Sequence, residues 1–323
     1  MAVEKPRFPR ELLLSMGPGN TTMMVTQFIL LGFGDLKELN PFLFLVFGVI
    51  YLATISGNHL LVALVITQRG LQTPMYFFLA NLSCLEVCYT SNIVPKMLVD
   101  LLMENRGISM VGCIIQLYFF GALGSTECYL LAVMSYDRYL AVCQPLHYPT
   151  LMHKALCGGL VIGSWFSGFT VAAAFQAAMV SSLTFCGNNK IDHFFCDLKP
   201  LQKLSCSDPY LVNLVCMTLT ALVTLAPFGL TLGSYWRITS VVLHISSKTG
   251  REKAFSTCSS HLVVVTLFYG TLILIYAVPL AGQVPAVNKT FSLLYTVVTP
   301  MCNPLIYSLK NRDVKEVLRK FRI

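Results

Sequence analysis

Asp137 and Arg138 stand side by side at the end of a long apolar run, with Tyr139 directly after them. An acid and an arginine in that position form a charge-assisted hydrogen bond. An arginine alone reads equally well as an anchor that snorkels to water. The flanking acid and tyrosine favour a switch. Glu86 and Glu127 each interrupt an apolar run. A charge at mid-bilayer costs at least ~2.5–3.5 kcal/mol, so both acids are expected to face a protein interior. Two carboxylates near one another are relieved by one shared proton or by a cation such as Na+. Cys113, Cys186, Cys196 and Cys206 fall outside the apolar runs or at their edge. Four cysteines allow three pairings, and their spacing lacks the tight Cys-x-x-Cys of a zinc site. The other eight cysteines sit in or beside apolar runs and read as small buried residues. No Gly-x-Ser-x-Gly, His-Glu-x-x-His or pair of span aspartates occurs, which argues against a membrane hydrolase.

The elements that must position these residues are membrane spans. Of 323 residues, 55% are hydrophobic and 12% charged, against about 25% charged in a soluble domain. A span needs roughly 20 apolar residues, and such runs occur near 42–67, 75–98, 113–141, 155–180, 210–237, 257–281 and 291–309. Backbone groups in lipid must be satisfied within each span, so the runs are helices; a barrel would alternate in short segments. The expected fold is an all-α membrane protein, a seven-transmembrane helix bundle with its N-terminus outside. Residues 1–41 form an outer tail, 42–309 the bundle, and 310–323 a cytoplasmic tail. No internal repeat is visible, and two acids fall short of the line of charges a transporter or channel would need. With the N-terminus outside, the inner side carries thirteen basic residues against four acids, and the outer side ten against nine. That asymmetry follows the positive-inside rule. The net charge of +8 is thus a topology signal, and no nucleic-acid partner is implied. Leu12-Leu13-Leu14 is too short for a signal-peptide core, so the first span is expected to serve as its own insertion signal. Met16 is an alternative start. Asn20-Thr21-Thr22 fits a glycosylation site in the outer tail; Asn81 lies within a span and Asn288 close to the membrane.

Four separated motifs carry a family resemblance. Met134-Ser135-Tyr136-Asp137-Arg138-Tyr139-Leu140-Ala141-Val142-Cys143-Gln144-Pro145-Leu146-His147-Tyr148 resembles the inner end of the third helix in rhodopsin-like G-protein-coupled receptors, and its tail resembles the odorant-receptor subfamily. Pro300-Met301-Cys302-Asn303-Pro304-Leu305-Ile306-Tyr307 is similar to the Asn-Pro-x-x-Tyr element of span seven. Lys253 to Leu262 and Pro74 to Ser83 again look like the odorant subfamily, as does Gly57-Asn58. The resemblance implies a receptor for a small odorant that activates a stimulatory, cAMP-raising G protein, at the plasma membrane of sensory cilia. A receptor for another small molecule is the remaining alternative. The resemblance also implies that Asp137, Arg138, Tyr139, Tyr235, Asn303, Pro304 and Tyr307 form the switch. Pro304 frees a carbonyl so that the helix can bend. It implies the bridge Cys113–Cys196, leaving Cys186–Cys206, so that the loop after span four becomes a lid. Related receptors have an aspartate where this chain has Glu86, often with Na+, and many latch the span-three arginine to an acid in span six. Here that segment is basic and polar, which argues against such a latch. His261 in it reads as a packing or titrating histidine.

The pocket is expected in the outer half, among spans three, five, six and seven. Counting helical turns back from Arg138 brings Phe120, Gly121, Gly124 and Ser125 inward. Leu219, Thr220 and Val223 are the candidates from span five. Tyr269, Leu272, Ile273 and Tyr276 recur at helical spacing in span six, and Thr296 comes from span seven. The set is apolar with a few hydroxyls and no basic group, which suits a small, neutral, largely hydrophobic ligand. Tyr269 lies deep enough to relay its contact inward. After span seven, Val314, Val317, Leu318 and Phe321 form one stripe among basic residues. That predicts a short amphipathic helix on the anionic membrane lipids. The tail leaves little room for phosphorylation control.

Overall fold

In a computed structural model, the described residues are 26–34, 38–103, 106–185, 188–208, 210–281, 285–310 and 314. The outer-tail site Asn20, Cys186 and the tail after residue 310, except Val314, lie outside them.

The spans are α1 (Asn40–Thr67), α2 (Pro74–Leu102), α3 (Met110–Cys143), α5 (Lys154–Ser182), α7 (Tyr210–Leu243), α8 (Lys248–Ala281), and a seventh built from α9 (Pro285–Leu293), a π-helical turn (Leu294–Val298) and α10 (Thr299–Lys310). Two short helices lie in loops: α4 (Tyr148–Leu151) between α3 and α5, and α6 (Leu198–Leu204) before α7. Five of the spans, α1, α2, α3, α5 and α7, are long and apolar enough to cross a membrane by length and composition. In α8 the described apolar stretch is Cys258–Ile273; its polar first turns project the helix beyond the bilayer. The arrangement is the expected seven-transmembrane bundle. Pro41 and Pro74 open α1 and α2 within the first turn, where a missing N–H is harmless. Ser109 caps α3 by accepting from the Gly112 N–H at 3.0 Å.

Exposure follows the solvent. Leu52, Ile66, Phe166 and Trp236 are all more than 60% exposed, which in water would be an aggregation hazard and in lipid is the expected outer face. Buried hydroxyls in the spans turn back on their own helices: Thr90, Thr126, Ser135 and Thr296 each donate to the carbonyl four residues earlier, at 2.7–2.8 Å. This satisfies the hydroxyl where no water can.

Helix α3 runs through the centre, packed mainly on α5, α7 and α2. The main core joins Leu79, Leu82 and Leu85 of α2 with Leu123, Leu130 and Met134 of α3 and Val264 and Phe268 of α8. At Gly168 of α5 an added Cβ would lie 2.8 Å from the Ala122 carbonyl oxygen and from the Thr126 nitrogen of α3. Small residues let membrane helices approach this closely.

The outer end holds an element the sequence did not announce. Residues 27–30, read as part of a tail, form strand β1 (Gln27–Leu30), flanked by β2 (Gly107–Ser109) and β3 (Lys190–Ile191). β1 is antiparallel to β2, with Phe28 opposite Ile108, and parallel to β3, with Leu30 opposite Ile191. Phe28 and Leu30 bury their side chains against Cys113, Leu117 and Met179. The tail therefore caps the bundle.

Gly168→Ala is expected to cost about 1–3 kcal/mol through overpacking. Purified receptor should show a lower thermal-unfolding midpoint, whereas Gly159→Ala, whose Cβ would meet nothing within 4 Å, should leave the midpoint unchanged.

Candidate functional site

At the inner end of α3 the Arg138 side chain is held by Asp137, with Nε donating to Oδ2 at 3.0 Å and Nη2 to the same oxygen. Both residues are buried, Arg138 at 8% exposure and Asp137 at 0%. The second oxygen of Asp137 accepts from the Tyr148 hydroxyl at 2.8 Å. Tyr148 opens α4 in the inner loop, where burial and then the Asp137 charge raise its phenol above the ordinary value. The inner loop thus completes the carboxylate's coordination, a role the sequence motif contained but did not reveal. Tyr139 turns toward α7 and α8, packing with Tyr235, Ile238 and Cys258.

The acid of α8, Glu252, has its side chain outside the described residues. A neutral contact lies nearby: the Tyr235 hydroxyl of α7 and His261 Nδ1 of α8 are 2.6 Å apart. His261 is fully buried. Of the two readings of this histidine, packing fits its burial, and the hydrogen bond joins the inner halves of α7 and α8. Tyr307 of α10 is buried beside the main core, its hydroxyl without a partner.

Asn303 Nδ2 donates to Glu86 Oε1, which ties the seventh span to α2. The Glu86 charge acts on Glu127 of α3. Glu86 Oε2, Glu127 Oε1 and Asn303 Oδ1 are buried without partners. Two buried carboxylates that interact electrostatically and keep unpaired oxygens have the chemistry to take Na+ or to share one proton. Asn58 of α1 donates to the Pro300 carbonyl at 3.5 Å, and Gly57 lets α1 approach Pro304, whose Cβ and Cγ would lie 3.2 Å from an added Cβ.

The outer half is roofed by the loop between α5 and α7. The Cys113–Cys196 bridge is present, with Cα atoms 5.4 Å apart. Cys206 is also disulfide-bonded. A second fastening was not foreseen. Gln116, three residues after Cys113, accepts from the Cys196 N–H at 2.9 Å and donates to the Asn92 carbonyl at 3.0 Å. Asn92 returns a bond to the Gln116 carbonyl at 2.9 Å. One glutamine thereby ties the loop to α2 and α3. A lone polar residue in an apolar run was the available signal. Beneath it Phe195 lies 5.1 Å from Phe120 by ring centroids, and Phe120 meets Tyr89 and Tyr295 at 5.6 and 5.8 Å. His193 is wedged against Phe194 and Phe195, 4.6 Å from each. Burial pushes its imidazole below the ordinary value, Asp197 and Asp192 pull it up, and Lys289 pushes it down. Lys289 Nζ and Asp192 Oδ1, at 2.6 Å, bind the loop to the seventh span.

The pocket candidates distribute unevenly. Phe120 faces the interior aromatic group. Gly124 leaves open space, and Ser125 is half-buried beside it. Gly121 differs from expectation: its missing Cβ points at Ala172 of α5, 3.9 Å away, so it serves helix contact. Val223 is buried in the main core, with Leu219 and Thr220 half-buried on the same helix. Tyr269 packs on Phe228 at 4.7 Å, and Leu272 joins the main core. Ile273 is corrected: at 55% exposure it turns outward. The inward stripe of α8 follows Val265, Phe268, Tyr269 and Leu272, and one residue more rotates about 100° past it. The Tyr276 side chain lies outside the described residues. Thr296 is fully buried, and its hydroxyl is taken by the Ser292 carbonyl. The Tyr269 hydroxyl lies beside Thr231 of α7, and Thr231 Oγ1 lies 3.3 Å from Ser135 Oγ of α3. Ser135 lies one helical turn before Arg138 on α3.

Comparison with known proteins fits this geometry. A family model described as olfactory receptor matches residues 47–323. Human olfactory receptor 11L1 is 52% identical over 94% of this chain and 94% of its own length. Human olfactory receptor 10A7 is 51% identical over 92% and 93%. The crystal structure of squid rhodopsin has the same fold, with a TM-score of 0.69 at 15% identity over 88% of this chain and 85% of that one. The chain belongs to the olfactory receptor family of rhodopsin-like G-protein-coupled receptors, multi-pass membrane proteins that are not enzymes.

Proposed function

We propose that this receptor binds a small, neutral, mostly hydrophobic odorant in the outer half of the bundle and activates a stimulatory, cAMP-raising G protein, at the membrane of sensory cilia. One observation carries the reading: a buried arginine at the inner mouth of the bundle, held by its neighbouring aspartate, below an interior lined by aromatic and aliphatic side chains. Residues 42–309 do the sensing and switching. The outer tail of 1–41 bears the Asn20 glycan, and residues 310–323 lie on the inner leaflet.

At rest, Asp137 and Tyr148 hold Arg138, while the Tyr235–His261 bond fastens α7 to α8. The ligand lies against Phe120, Gly124, Ser125, Leu219, Thr220, Val223, Leu272 and Tyr269. It shifts the equilibrium only as far as it prefers the active form. Contact with Tyr269 disturbs Thr231 and Ser135, and the inner ends of α7 and α8 separate. Arg138 then leaves Asp137 for Tyr235, Tyr307 and the entering G protein. The helix bends at Pro304. Na+ or a shared proton, where held by Glu86 and Glu127, offsets the repulsion of the two carboxylates. Asn303 positions Glu86.

Two measurements test this. Cells expressing the receptor, challenged with a panel of neutral volatile compounds, should raise cAMP in a dose-dependent way, and Arg138→Ala at matched surface expression should abolish the rise. A rise that persists in Arg138→Ala removes the assigned switch. In His261→Phe the half-buried Tyr235 hydroxyl loses its partner at a cost of about 1 kcal/mol, roughly a 5-fold shift in a two-state equilibrium. Agonist-free cAMP should rise severalfold; an unchanged basal signal means that the pair does not restrain the resting form.

A further inference from the structure

His193 is buried in the lid, at 3% exposure. It follows β3, and its ring packs 4.6 Å from Phe194 and 4.6 Å from Phe195. Neither ring nitrogen has a hydrogen-bond partner. A neutral imidazole carries one N–H donor and one acceptor, and here both are unserved. Burying a polar group without a partner is unfavourable, and burying its charged form is far more so. This aromatic nest therefore accepts the neutral ring and disfavours the imidazolium. Neither the switch nor the ligand wall uses the group.

The charges around the ring give a protonated form somewhere to go. Among the described residues, those acting on it are Asp197 and Asp192 of the same loop and Lys289 of the seventh span. Asp197 caps α6, its Oδ1 accepting from the Leu198 N–H at 2.8 Å. Asp192 is the chain neighbour of His193. Its side chain is 53% exposed and accepts from Lys289 Nζ at 2.6 Å. The other elements packed here add little charge. β1 and the outer turns of α1 carry no ionisable side chain. In α2, Lys96 and Asp100 pair with each other, and Arg106 donates to the Leu31 carbonyl at 2.9 Å. An imidazolium gains water and a carboxylate by turning out of the nest toward Asp192. There it competes with Lys289, and the tie from loop to seventh span weakens.

We propose that His193 is a proton-operated latch of the lid: neutral, it seats Phe194 and Phe195 on the bundle, and protonated, it leaves its nest and loosens the loop from the seventh span. The Cys113–Cys196 bridge keeps the loop attached, so release is local. Burial holds the closed-lid histidine below its ordinary 6.5, so the closed form binds fewer protons than the open one. The closed lid is fully favoured above 6.5 and loses ground as pH falls below that value. From pH 7.5 to pH 5, an ordinary histidine in the open form allows a shift of at most about thirtyfold. Phe194 stacks on Phe33 at 5.5 Å, and Phe195 lies 5.1 Å from Phe120. Acid on the outer side thereby loosens the roof of the bundle interior.

The test is amide hydrogen exchange, read by mass spectrometry on full-length receptor in lipid nanodiscs between pH 7.5 and pH 5. Each peptide's protection is taken relative to its intrinsic exchange rate at that pH. Two segments report on the latch. One is the loop itself. The other holds Leu31 and Gly32, whose N–H groups donate to the Ile191 and His193 carbonyls at 2.9 and 3.1 Å. Protection of both should fall severalfold, and by no more than about thirtyfold, as pH drops, while the peptides of α3 stay unchanged. His193→Phe keeps an aromatic ring and removes the titration, and its protection should stay flat across the range. His193→Gln should be flat as well. A wild-type profile with no change in either segment overturns the proposal. So does a pH response that survives in His193→Phe, because another group would then carry it. Should neither variant fold, the wild-type profile still decides: a loss of protection spread through α3 is general unfolding, and also overturns the latch. No odorant is present, so the outcome is independent of the proposed ligand and of coupling.

Discussion

A buried guanidinium must be paired, and the rest of the structure accommodates that constraint. Arg138 is at once inside protein and near the end of a 34-residue span. Removing one partner of a buried pair leaves an uncompensated charge and costs about 3–5 kcal/mol. Asp137, adjacent in sequence, supplies the partner, but one carboxylate oxygen then still needs a donor. Tyr148 brings that donor from the inner loop. The position of α4 and the seating of the loop against α3 therefore follow from the electrostatics of one side chain. The pair is stable only while the inner mouth stays closed, which makes it a bistable element on which a ligand can act.

The outer end answers with the opposite chemistry. Aromatic rings pack under the lid, and it is fastened by a disulfide, by the hydrogen bonds of one glutamine and by the Lys289–Asp192 pair at its rim. The Cys113–Cys196 bridge and the Gln116 hydrogen bonds hold Phe195 down on Phe120. Between the two ends lie the packed side chains of α3, α7 and α8, with the Tyr269, Thr231 and Ser135 hydroxyls set among them. Such a core does not deform continuously. In the proposed mechanism, movement at Tyr269 reaches Arg138 as a change of partners.

Much of this was legible in the sequence, and for a physical reason. Lipid demands long apolar runs and rejects unpaired charge, so the spans, the inward acids and the Asp137–Arg138 pair could be read from residue type alone. What escaped depends on long-range pairing. Strand β1 contributes backbone hydrogen bonds to loops roughly 80 and 160 residues away, and no local pattern encodes that. Gln116 and Tyr148 matter through partners brought near only by the fold. Gly121 and Ile273 show the limit of counting turns: helical spacing fixes a face, but neighbouring helices decide which edge of that face is inside. The Tyr235–His261 bond joins side chains 26 residues apart on two helices, and no local pattern announces it.

The most direct test of the central claim is agonist-free cAMP in cells expressing Asp137→Asn at wild-type surface density. Asparagine keeps the size and removes the charge that holds Arg138. If the pair restrains the resting receptor, basal cAMP should rise severalfold above the wild-type level. A basal signal equal to wild type, from receptor shown to be at the surface, would contradict the claim that this ion pair governs the switch.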